Sequence, residues 1–458
     1  MTTLLRTAFQ VMRADVDLAR LTETAISTAP IDDAVRAAIL CHLAEPSTPA
    51  AAIATGLDGG LDTVRAAYRV CQEAPAISQL VSSAYYPHRL RWAFAAATVQ
   101  QWRRAPERPA RIRARQPVLS DTVEIHPTRG TCNYGCVMCL WSDQKTLTYT
   151  TKNLDTHGLM TVAEWLRVLQ DLREHDVSRL VVSGGGEALL NPDLPAILHA
   201  AADLGFEIHV YTTGFSIRPG TPQFQALLRC HRIRFSIHSP DPSTYDRIAR
   251  TGTNQRALER VTRNLAALRD ERNSHLAVGI GFVIQPLNHH EITAMAEFAH
   301  NLGADWLDLR KDEVDVTDGL TTGQLADVRD QLRTVRSTPP PHTHIDIADE
   351  LVALANGQPA DRARTGECLG RYFRPTIGAY GHLTPCDLKA EPRFARTGYD
   401  LGSVKQSRIL QVVSTSAQQR IPDDCDQCMP SSRTGNRIVH KLLADLEAGI
   451  GIDEQPFT

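Results

Sequence analysis

Three cysteines stand close together in one short segment, at Cys132, Cys136 and Cys139. Thiolates are soft ligands that favour iron–sulfur clusters, zinc or Cu(I) over hard cations. Three thiolates can cap three irons of a cubane cluster, and no fourth cysteine lies nearby to cap the last one. That iron would be open to a small molecule. A zinc site completed by a distant histidine, or three unrelated thiols, are the alternative interpretations.

A second group of four cysteines lies near the end of the chain, at Cys368, Cys386, Cys425 and Cys428. The CxxC spacing of the last two would by itself suit zinc. Gly378 and Gly381, which lie between the first two cysteines, predict the turn of a hairpin followed by a short strand. The remaining cysteines, Cys41, Cys71 and Cys230, lie in helix-like segments and are expected to be buried apolar residues.

The composition is that of an ordinary globular enzyme. The chain has 458 residues, 42% hydrophobic and 22% charged, enough for two or three domains. A net charge of −3 gives no electrostatic reason to expect nucleic acid or membrane partners. No apolar stretch approaches a membrane span, and the N-terminus lacks a secretory core, so we expect a cytoplasmic protein.

Short apolar runs alternate with segments of helical periodicity between about 118 and 315. The apolar runs predict six strands: Thr122–Ile125, Leu180–Ser183, Glu207–Tyr211, Ile233–Ile237, Ala277–Ile284 and Trp306–Leu309. Six β/α units in series predict an α/β fold, a parallel sheet that right-handed crossovers curl into a partial (β/α)6 TIM barrel. In such barrels the chemistry lies on loops after the strands, and the first three cysteines follow the first strand.

We expect one domain before this barrel in the sequence and one after it. Residues 1–102 have apolar residues at helical spacing and predict an N-terminal helical domain. The segment 103–117 is rich in arginine and proline and predicts a linker. The barrel is expected over 118–340. A C-terminal domain over 341–458 would carry the second cysteine group and a last amphipathic helix, Asn436–Leu446.

A glycine-rich turn follows the second predicted strand, where Gly184, Gly185 and Gly186 precede Glu187. With the CxxxCxxC spacing of the first cysteines, this segment resembles the radical S-adenosylmethionine (SAM) enzymes. The resemblance implies a 4Fe–4S cluster whose open iron binds SAM, and cleavage of SAM to a 5′-deoxyadenosyl radical. It also implies that Gly185, Gly186 and Glu187 bind the SAM amino group. A tight turn with an acidic helix cap is the plainer interpretation.

The resemblance extends to other strand ends. Ser236 ends the fourth strand and is implied to contact the ribose or carboxylate of SAM, and Ile284 ends the fifth strand on the adenine side. Thr213 is a candidate SAM contact at the end of the third strand, although Thr-Thr-Gly stands there where many relatives have Thr-Asn-Gly.

An arginine after the fourth strand is implied to pair with the SAM carboxylate. Arg250 fits the family position best, and Arg247 is the second choice. The planar guanidinium suits this task because it binds a carboxylate through two parallel hydrogen bonds. Surface ion pairs with Asp241 or Asp246 are the alternative.

Within a radical SAM chain, the second cysteine group resembles the twitch extension, half of a SPASM domain, which carries an auxiliary 4Fe–4S cluster. Cys368, Cys386, Cys425 and Cys428 would then ligate every iron. Such a cluster accepts an electron but does not readily chelate a substrate. Structural zinc, or no metal, remain alternatives. The resemblance also implies a flavodoxin or ferredoxin as electron donor.

The chain is most similar to radical SAM enzymes of antibiotic sugar and aminocyclitol biosynthesis, over roughly residues 30–335. This group includes 2-deoxy-scyllo-inosamine dehydrogenase, the spectinomycin and hygromycin pathway dehydrogenases and the desosamine-pathway deaminase. The similarity rests on VVSGGGEALLNPDL at 181–194, VYTTGFSIR at 210–218, NLAALRDERNS at 264–274 and WLDLRKDEVDVTDGL at 306–320. The cysteine pattern at 368–428 favours the first of these enzymes.

The resemblance predicts a dehydrogenase that oxidises a secondary alcohol of an aminoglycoside, aminocyclitol or sugar. Arg310, at the end of the sixth strand, is a candidate to hold or deprotonate the substrate hydroxyl, or else an ion-pair partner of Asp308 or Asp312. The alternatives are a dehydratase or deaminase, an epimerase, and a peptide-maturing enzyme. A SAM-binding regulator without catalysis is a further alternative.

Overall fold

A computed structural model of the chain describes residues 31–82, 86, 88–128, 132–139, 158–252, 256–312, 319–357, 366–390, 397–422, 425 and 428–457. Residues 1–30 of the predicted helical domain lie outside the described residues. The chain forms two compact units. The first comprises Met1–Ala114, Ile347–Gly366 and Pro430–Thr458, and the second comprises Arg115–Asp346 and Glu367–Met429.

One sheet organises the second unit. Its strands are β1 (Thr122–Ile125), β2 (Arg179–Val182), β3 (Glu207–Thr212), β4 (Arg232–Ser236), β5 (Ala277–Ile284), β6 (Trp306–Lys311), β7 (His344–Ile347), β8 (Thr376–Ile377) and β9 (Leu383–Thr384). Their order is β7-β6-β5-β4-β3-β2-β1-β8-β9. Strands β1 to β6 lie side by side in chain order and pair in parallel, so the predicted α/β series is confirmed.

The predicted hairpin at Gly378 and Gly381 is also present. Strand β8 runs parallel to β1, and β9 returns antiparallel to β8. The N–H of Gly381 donates to the carbonyl of Gly378 at 2.9 Å, and Gly381 has a φ of 80°, which a glycine adopts without strain. The hairpin therefore extends the barrel sheet beyond its first strand.

Helices surround these strands and form most of the first unit. In the described residues they are α1 (Asp33–Ala44), α2 (Ala50–Ala54), α3 (Gly60–Glu73), α4 (Pro75–Ser82), α5 (Arg89–Arg104), α6 (Arg108–Arg113), α7 (Val162–Glu174), α8 (Leu194–Asp203), α9 (Pro222–Leu227), α10 (Pro242–Ala249), α11 (Ala257–Glu271), α12 (Ile292–Asn301), α13 (Thr322–Ser337), α14 (Asp349–Ala355), α15 (Ile409–Ser416) and α16 (Pro430–Glu447). Within this described part, no helix has the length and apolarity that crossing a membrane requires.

The last helix, α16, packs in the first unit. Lys441 of α16 is fully buried, pairs with Asp445, and donates to the Tyr68 hydroxyl at 3.2 Å and to Gln455 Oε1 at 3.0 Å. Because a buried ammonium is costly unless it is paired, this arrangement ties α16 to α3. The structure thus groups α16 with the N-terminal helices, and the sequence-based boundaries at 102, 117 and 340 stay a prediction.

The segment predicted as a linker is partly helical. Residues 103 and 104 complete α5, and α6 follows with Pro109 near its first turn, where the missing N–H of proline costs nothing. Pro109 and Ile112 are buried, so a small apolar contact holds this helix in spite of its many arginines. A composition rich in proline and arginine does not indicate a buried contact, so the sequence did not predict this helix.

Glycines of β5 make room for side chains of the neighbouring strands. Gly279 pairs with Trp306 of β6, and a Cβ built on Gly279 would lie 2.1 Å from the indole ring. No carbon atom approaches another so closely without displacement, so the indole can lie over β5 because residue 279 has no side chain. This close packing explains Gly279, one of the two glycines in the GIGFVI sequence of β5.

We expect Gly279→Ala to destabilise the fold by about 1–3 kcal/mol, the usual cost of overpacking. Equilibrium urea unfolding followed by tryptophan fluorescence measures this change. Gly323→Ala is the matched control, because Gly323 lies in α13 and a Cβ there meets nothing within 4 Å. That variant should be neutral or slightly stabilised. Equal unfolding midpoints for Gly279→Ala and the wild type would contradict the packing.

Candidate active site

The first cysteine segment follows β1 and is held by α10. The N–H of Gly135 donates to the carbonyl of Ala249 at 3.0 Å, and the N–H of Val137 donates to that of Ile248 at 2.9 Å. These bonds use carbonyls at the end of α10, which have no partner inside the helix. The segment that carries Cys132, Cys136 and Cys139 is therefore fixed at the carboxyl end of the barrel strands, as the sequence predicts.

The three thiols lie within electrostatic reach of one another. Burial raises the pKa of Cys132 to about 12, and the negative charges of Glu187 and Cys139 raise it further. Burial also raises the pKa of Cys136 well above its usual value, with smaller contributions from Cys139 and Cys132. None of the three thiols forms a disulfide within the described residues. Among the described residues, no three His, Cys, Asp or Glu side chains already stand in metal-ligand positions.

This set of donors fits an iron–sulfur cluster. Three thiols on one segment are the soft ligands that such a cluster uses, and the positive charge of a cluster would favour their thiolate forms. Cys132, Cys136 and Cys139 would hold it.

The turn after β2 adopts backbone angles that favour glycine. Gly184, Gly185 and Gly186 have φ values of 48°, 69° and 137°. A Cβ on Gly184 would lie 2.2 Å from Nε2 of His126, so this residue also lies against a neighbouring ring. The turn therefore exposes backbone at the carboxyl end of β2, where the sequence predicts contacts of Gly185 and Gly186 with SAM. Those contacts remain a prediction.

Glu187 is a buried carboxylate held by three hydrogen bonds. Its Oε1 accepts from Leu189 N at 3.0 Å and from Thr212 Oγ1 at 2.7 Å, and its Oε2 accepts from Thr213 N at 2.6 Å. Burial raises its pKa, and these hydrogen bonds oppose that effect. The Thr213 side chain is a further donor to this carboxylate, and carboxylate oxygens accept hydrogen bonds from ammonium groups as well. The predicted role of Glu187 in SAM binding is compatible with this geometry.

Thr213 joins the end of β3 to the cysteine segment. Its Oγ1 donates to Asn133 Oδ1 at 3.3 Å, next to Cys132. Asn264 of α11 donates to the carbonyl of Gly214 at 2.8 Å and supports the same turn. Threonine thus fills a position where many relatives have asparagine, and its contact with SAM stays a prediction.

Arg250 caps α10 in the left-handed region, at a φ of 49°. Its Nη1 is buried and has no hydrogen-bond partner among the described residues. Arg250 also lowers the pKa of Cys136, although burial raises that pKa by more. A buried guanidinium nitrogen without a partner is costly, and the SAM carboxylate would satisfy it. SAM therefore fits the site at Arg250.

The alternative partners of the arginines are occupied. Asp241 accepts the N–H of Thr244 as the cap of α10, and Asp246 accepts the Thr251 hydroxyl. In the described part of the chain, neither Arg250 nor Arg247 forms an ion pair with them, and Arg247 is exposed. The surface-pair alternative is thus absent there.

The remaining predicted residues lie at strand ends. Ser236 is half-buried at the end of β4 and lies beside Gly281, and Ile284 is buried at the end of β5 beside Lys311. Arg310 lies on the face of β6 that also carries Asp308, and its Nη2 is 3.6 Å from Asp308 Oδ2. The ion pair that the sequence offered as an alternative for Arg310 is present. A catalytic role for Arg310 remains a prediction.

The second cysteine group is brought together by the β8–β9 hairpin. Burial raises the pKa of Cys386 well above its usual value, and Asp387, Cys368 and Cys425 raise it further, so Cys368 and Cys425 lie within electrostatic reach of Cys386. Gly370 allows this approach, because a Cβ there would lie 2.4 Å from the Pro385 carbonyl oxygen. Cys428, which follows Cys425 closely in the sequence, is buried. The donor set fits a metal cluster or zinc, and the auxiliary cluster remains a proposal.

Three ionisable residues of the barrel, Glu124, His126 and Arg374, were not identified from the sequence. Glu124 Oε1 accepts from Ser183 Oγ at 2.6 Å and lies 3.1 Å from His126 Nε2, and its Oε2 accepts from Arg374 Nε at 2.7 Å. Burial alone would raise the pKa of Glu124, but Arg374 and His126 hold it below its usual range. The sequence Glu-Ile-His at the end of β1 was the signal that could have revealed this pair, since alternate residues of an extended chain lie on one face.

Comparison with known proteins identifies part of this unit. Residues 127–299 match the Radical SAM superfamily. That match includes the first cysteine segment and the glycine turn, and it supports SAM and a 4Fe–4S cluster as the cofactors. SuiB of Streptococcus suis has a similar fold, with a TM-score of 0.51 at 13% identity over 88% of this chain and 84% of SuiB. A second SuiB structure, bound to S-adenosylmethionine, gives a TM-score of 0.50.

Curated relatives include enzymes that act on sugars and nucleotides. A dTDP-4-amino-4,6-dideoxy-D-glucose ammonia-lyase of Streptomyces venezuelae is 27% identical over 55% of this chain and 53% of its own length. An S-adenosylmethionine-dependent nucleotide dehydratase of Selenomonas ruminantium is 24% identical over 37% of this chain and 58% of its own length. The chain thus spans somewhat over half the length of these relatives.

Replacing Cys132, Cys136 and Cys139 together with alanine should remove one cluster. Anaerobically reconstituted wild-type protein should hold about eight irons, as expected for two 4Fe–4S clusters, and the triple variant about four. The triple variant should not form 5′-deoxyadenosine from SAM. Iron analysis and chromatography measure both quantities. Formation of 5′-deoxyadenosine by the variant would show that this cysteine group is not the SAM cluster site.

Glu187→Gln and Arg250→Ala should each weaken SAM binding by roughly 10- to 150-fold, because a hydrogen bond to a charged group contributes about 1.5–3 kcal/mol. Equilibrium binding of SAM to the anaerobic protein measures this loss. Arg247→Ala is the matched control, since Arg247 is exposed on the same helix and its loss should leave the affinity unchanged. If the two arginine variants behaved in the opposite way, the carboxylate contact would belong to Arg247.

Proposed function

We propose that this radical SAM enzyme oxidises a secondary alcohol of a sugar or aminocyclitol to a ketone. When bound, SAM and its cluster supply a 5′-deoxyadenosyl radical that removes a hydrogen atom from the carbinol carbon. The hydroxyl proton must then pass to a base, and one further electron must leave. Oxidation therefore requires an electron acceptor, whereas elimination of water or ammonia does not.

The second cysteine group is the observation that carries this proposal. Cys368 and Cys425 lie within electrostatic reach of Cys386, which follows β9 of the β8–β9 hairpin. That hairpin continues the sheet from β1, since Glu124 N donates to the Pro375 carbonyl at 2.9 Å and His126 N donates to the Ile377 carbonyl at 3.0 Å. Strand β1 also leads into the first cysteine segment. An auxiliary 4Fe–4S cluster at the second group would supply the electron acceptor.

The inner face of the barrel supports a polar substrate. On β4 the apolar Ile233 and Phe235 are buried, whereas Arg232, Arg234 and Ser236 alternate with them and are more accessible. Hydroxyl groups of a sugar need hydrogen-bond partners inside a protein, and these side chains offer them. Arg310 remains the proposed group that holds the reacting hydroxyl, and its Nη2 lies 3.6 Å from Asp308 Oδ2.

A second candidate function is redox-neutral elimination. The names of the relatives from Streptomyces venezuelae and Selenomonas ruminantium, an ammonia-lyase and a dehydratase, favour it. The same radical step would then be followed by loss of ammonia or water, and the product radical would regain one electron and one proton. The second cluster would then be structural or would relay that electron. An epimerase is less favoured, because it needs a hydrogen donor and Cys230, before β4, is fully buried. A flavodoxin or ferredoxin as reductant and a cytoplasmic location belong to the same proposal.

The mass of the product separates the two functions. We expect a product two mass units lighter than the substrate, with SAM consumed stoichiometrically, because the hydrogen atom and the electron are not returned. Anaerobic incubation with SAM, dithionite and candidate sugars, followed by mass spectrometry, measures this change. Replacing Cys425 and Cys428 with alanine should stop product formation and leave some SAM cleavage. Loss of 18 or 17 mass units would instead establish dehydration or deamination.

A further inference from the structure

A buried arginine beside the second cysteine group forms no ion pair with a carboxylate among the residues that the structure describes. Arg371 lies in the short 3-10 helix Gly370–Tyr372, which follows Cys368, and it is 8% exposed. Its Nη1 donates to the Ser416 carbonyl at 2.6 Å, and its Nη2 donates to the Gln419 carbonyl at 2.5 Å. Both acceptors are neutral, so these bonds satisfy donors of the guanidinium without cancelling its charge.

Helix α15 and apolar side chains hold this guanidinium in place. Ser416 is the last residue of α15, where helix carbonyls lack partners inside the helix and carry a partial negative charge. Leu383 and Leu401 line the same small cavity as Arg371. Apolar groups screen a charge less than water does. The positive charge of Arg371 is therefore fixed in position and acts over a longer distance than a surface charge would.

The sulfur of Cys368 lies within electrostatic reach of this charge. Burial lowers the pKa of Arg371, and interactions with Tyr372 and Cys368 oppose that effect. Gly370 packs against the thiol, since a Cβ on Gly370 would lie 3.5 Å from Cys368 Sγ. Arg371 thus belongs to the short helix that contacts a candidate ligand of the second cysteine group.

Glu367 also acts on Arg371, but it is engaged with a second arginine. Glu367 Oε2 lies 2.8 Å from Arg115 Nη2. Besides the effect of burial, Glu367 raises the pKa of Arg371 and Arg115 lowers it, so the fields of this pair oppose each other. The pair therefore does not cancel the charge of Arg371.

We propose that Arg371 raises the reduction potential of the 4Fe–4S cluster held by the second cysteine group. The four thiolates of that group would make the cluster negative, and reduction adds one further negative charge. A nearby positive charge stabilises the reduced form more than the oxidised form. Arg371 therefore favours uptake of the electron that the substrate radical releases when it becomes a ketone, while the hydroxyl proton passes to a base.

This inference rests on the proposed function and deepens it, because it names a residue that makes the second cluster a better electron acceptor. Arg371 acts through the cluster and not on the reacting atoms. It is a positioning residue for charge, and the midpoint potential of the cluster is the quantity that reports on it.

The second cluster can be studied alone in the reconstituted full chain that lacks Cys132, Cys136 and Cys139. In this background Arg371→Gln should lower the midpoint potential, because it removes the positive charge and keeps a side chain that can donate to a carbonyl. At a fixed applied potential, the ratio of reduced to oxidised cluster should fall roughly tenfold, which corresponds to about 59 mV for one electron. Redox titration followed by electron paramagnetic resonance measures the midpoint.

Two further variants separate charge from fold. Arg371→Lys retains the charge and should keep the midpoint closer to the wild-type value than Arg371→Gln does. Asp387 raises the pKa of Cys386, whose largest shift comes from burial, so its negative charge acts on the same group. Asp387→Asn should therefore raise the midpoint. A variant that merely loosens the fold does not explain shifts of opposite sign at the two positions.

Arg167→Gln is the matched control for the hydrogen bonds. Arg167 of α7 is half-buried, and its Nη2 also donates to two backbone carbonyls, those of Val404 at 2.6 Å and Lys405 at 3.2 Å. Its loss should leave the midpoint unchanged. If Arg167→Gln lowered the midpoint as much as Arg371→Gln, a general loosening would account for the shift and the inference would be wrong.

Iron content distinguishes failure of this inference from failure of the proposed function. The chain without the first three cysteines should retain about four irons. Absence of iron there would remove the electron acceptor, and both proposals would fall. About four irons with the same midpoint in Arg371→Gln would overturn the role of Arg371 and leave the proposed oxidation standing. If Arg371→Gln retained no iron, an unchanged midpoint in Asp387→Asn would still overturn the assignment, and a raised one would support it.

Discussion

A fully buried carboxylate, Glu124, connects the parts of the barrel on which the site depends. Charge inside a protein must be paired, and Glu124 is paired with Arg374 and hydrogen bonded to Ser183 and His126. Ser183 leads into the glycine turn, and Arg374 leads into the hairpin of the second cysteine group. Breaking such a buried pair typically costs about 3–5 kcal/mol. One ion pair therefore fixes the first strand, the glycine turn and the hairpin relative to one another.

The outer face of the strands contributes apolar packing, and the inner face carries polar and charged side chains. The outer face of β4 and β5 carries Ile233, Phe235 and Ile280, which are fully buried. The inner face carries arginines, carboxylates and aromatic rings in pairs, because each charge there must find a partner. Gly279 and Gly281 permit this arrangement, since β5 contributes no side chains where Trp306 and Arg234 cross it. A polar interior of this kind would suit a polar substrate.

The fold was largely predictable, and the site was predictable where it is local. Alternating apolar and helical segments predicted β1 to β6 in order, because each β/α unit is formed by neighbours in sequence. Cys132, Cys136 and Cys139 lie on one segment, and Gly184 to Glu187 on another, so these motifs and their resemblance to radical SAM enzymes carried a prediction of the site that still awaits a test. The linker at 103–117 was predicted less well, because the buried contact of Ile112 depends on tertiary packing rather than on composition.

The sequence by itself determined the chemistry available to this protein: three thiols in one segment, four more near the end, and glycines at strand ends. Tertiary structure alone decided which charges meet. Arg374 is 250 residues from Glu124, and Arg234 is 74 residues from Asp308, so no local pattern links them. Strand order set those partners, because it places β8 beside β1 and β4 to β6 side by side, and Gly281 leaves room for Arg234 to reach across β5. The order of the strands thus brings arginines from distant parts of the sequence beside their carboxylate partners inside the barrel.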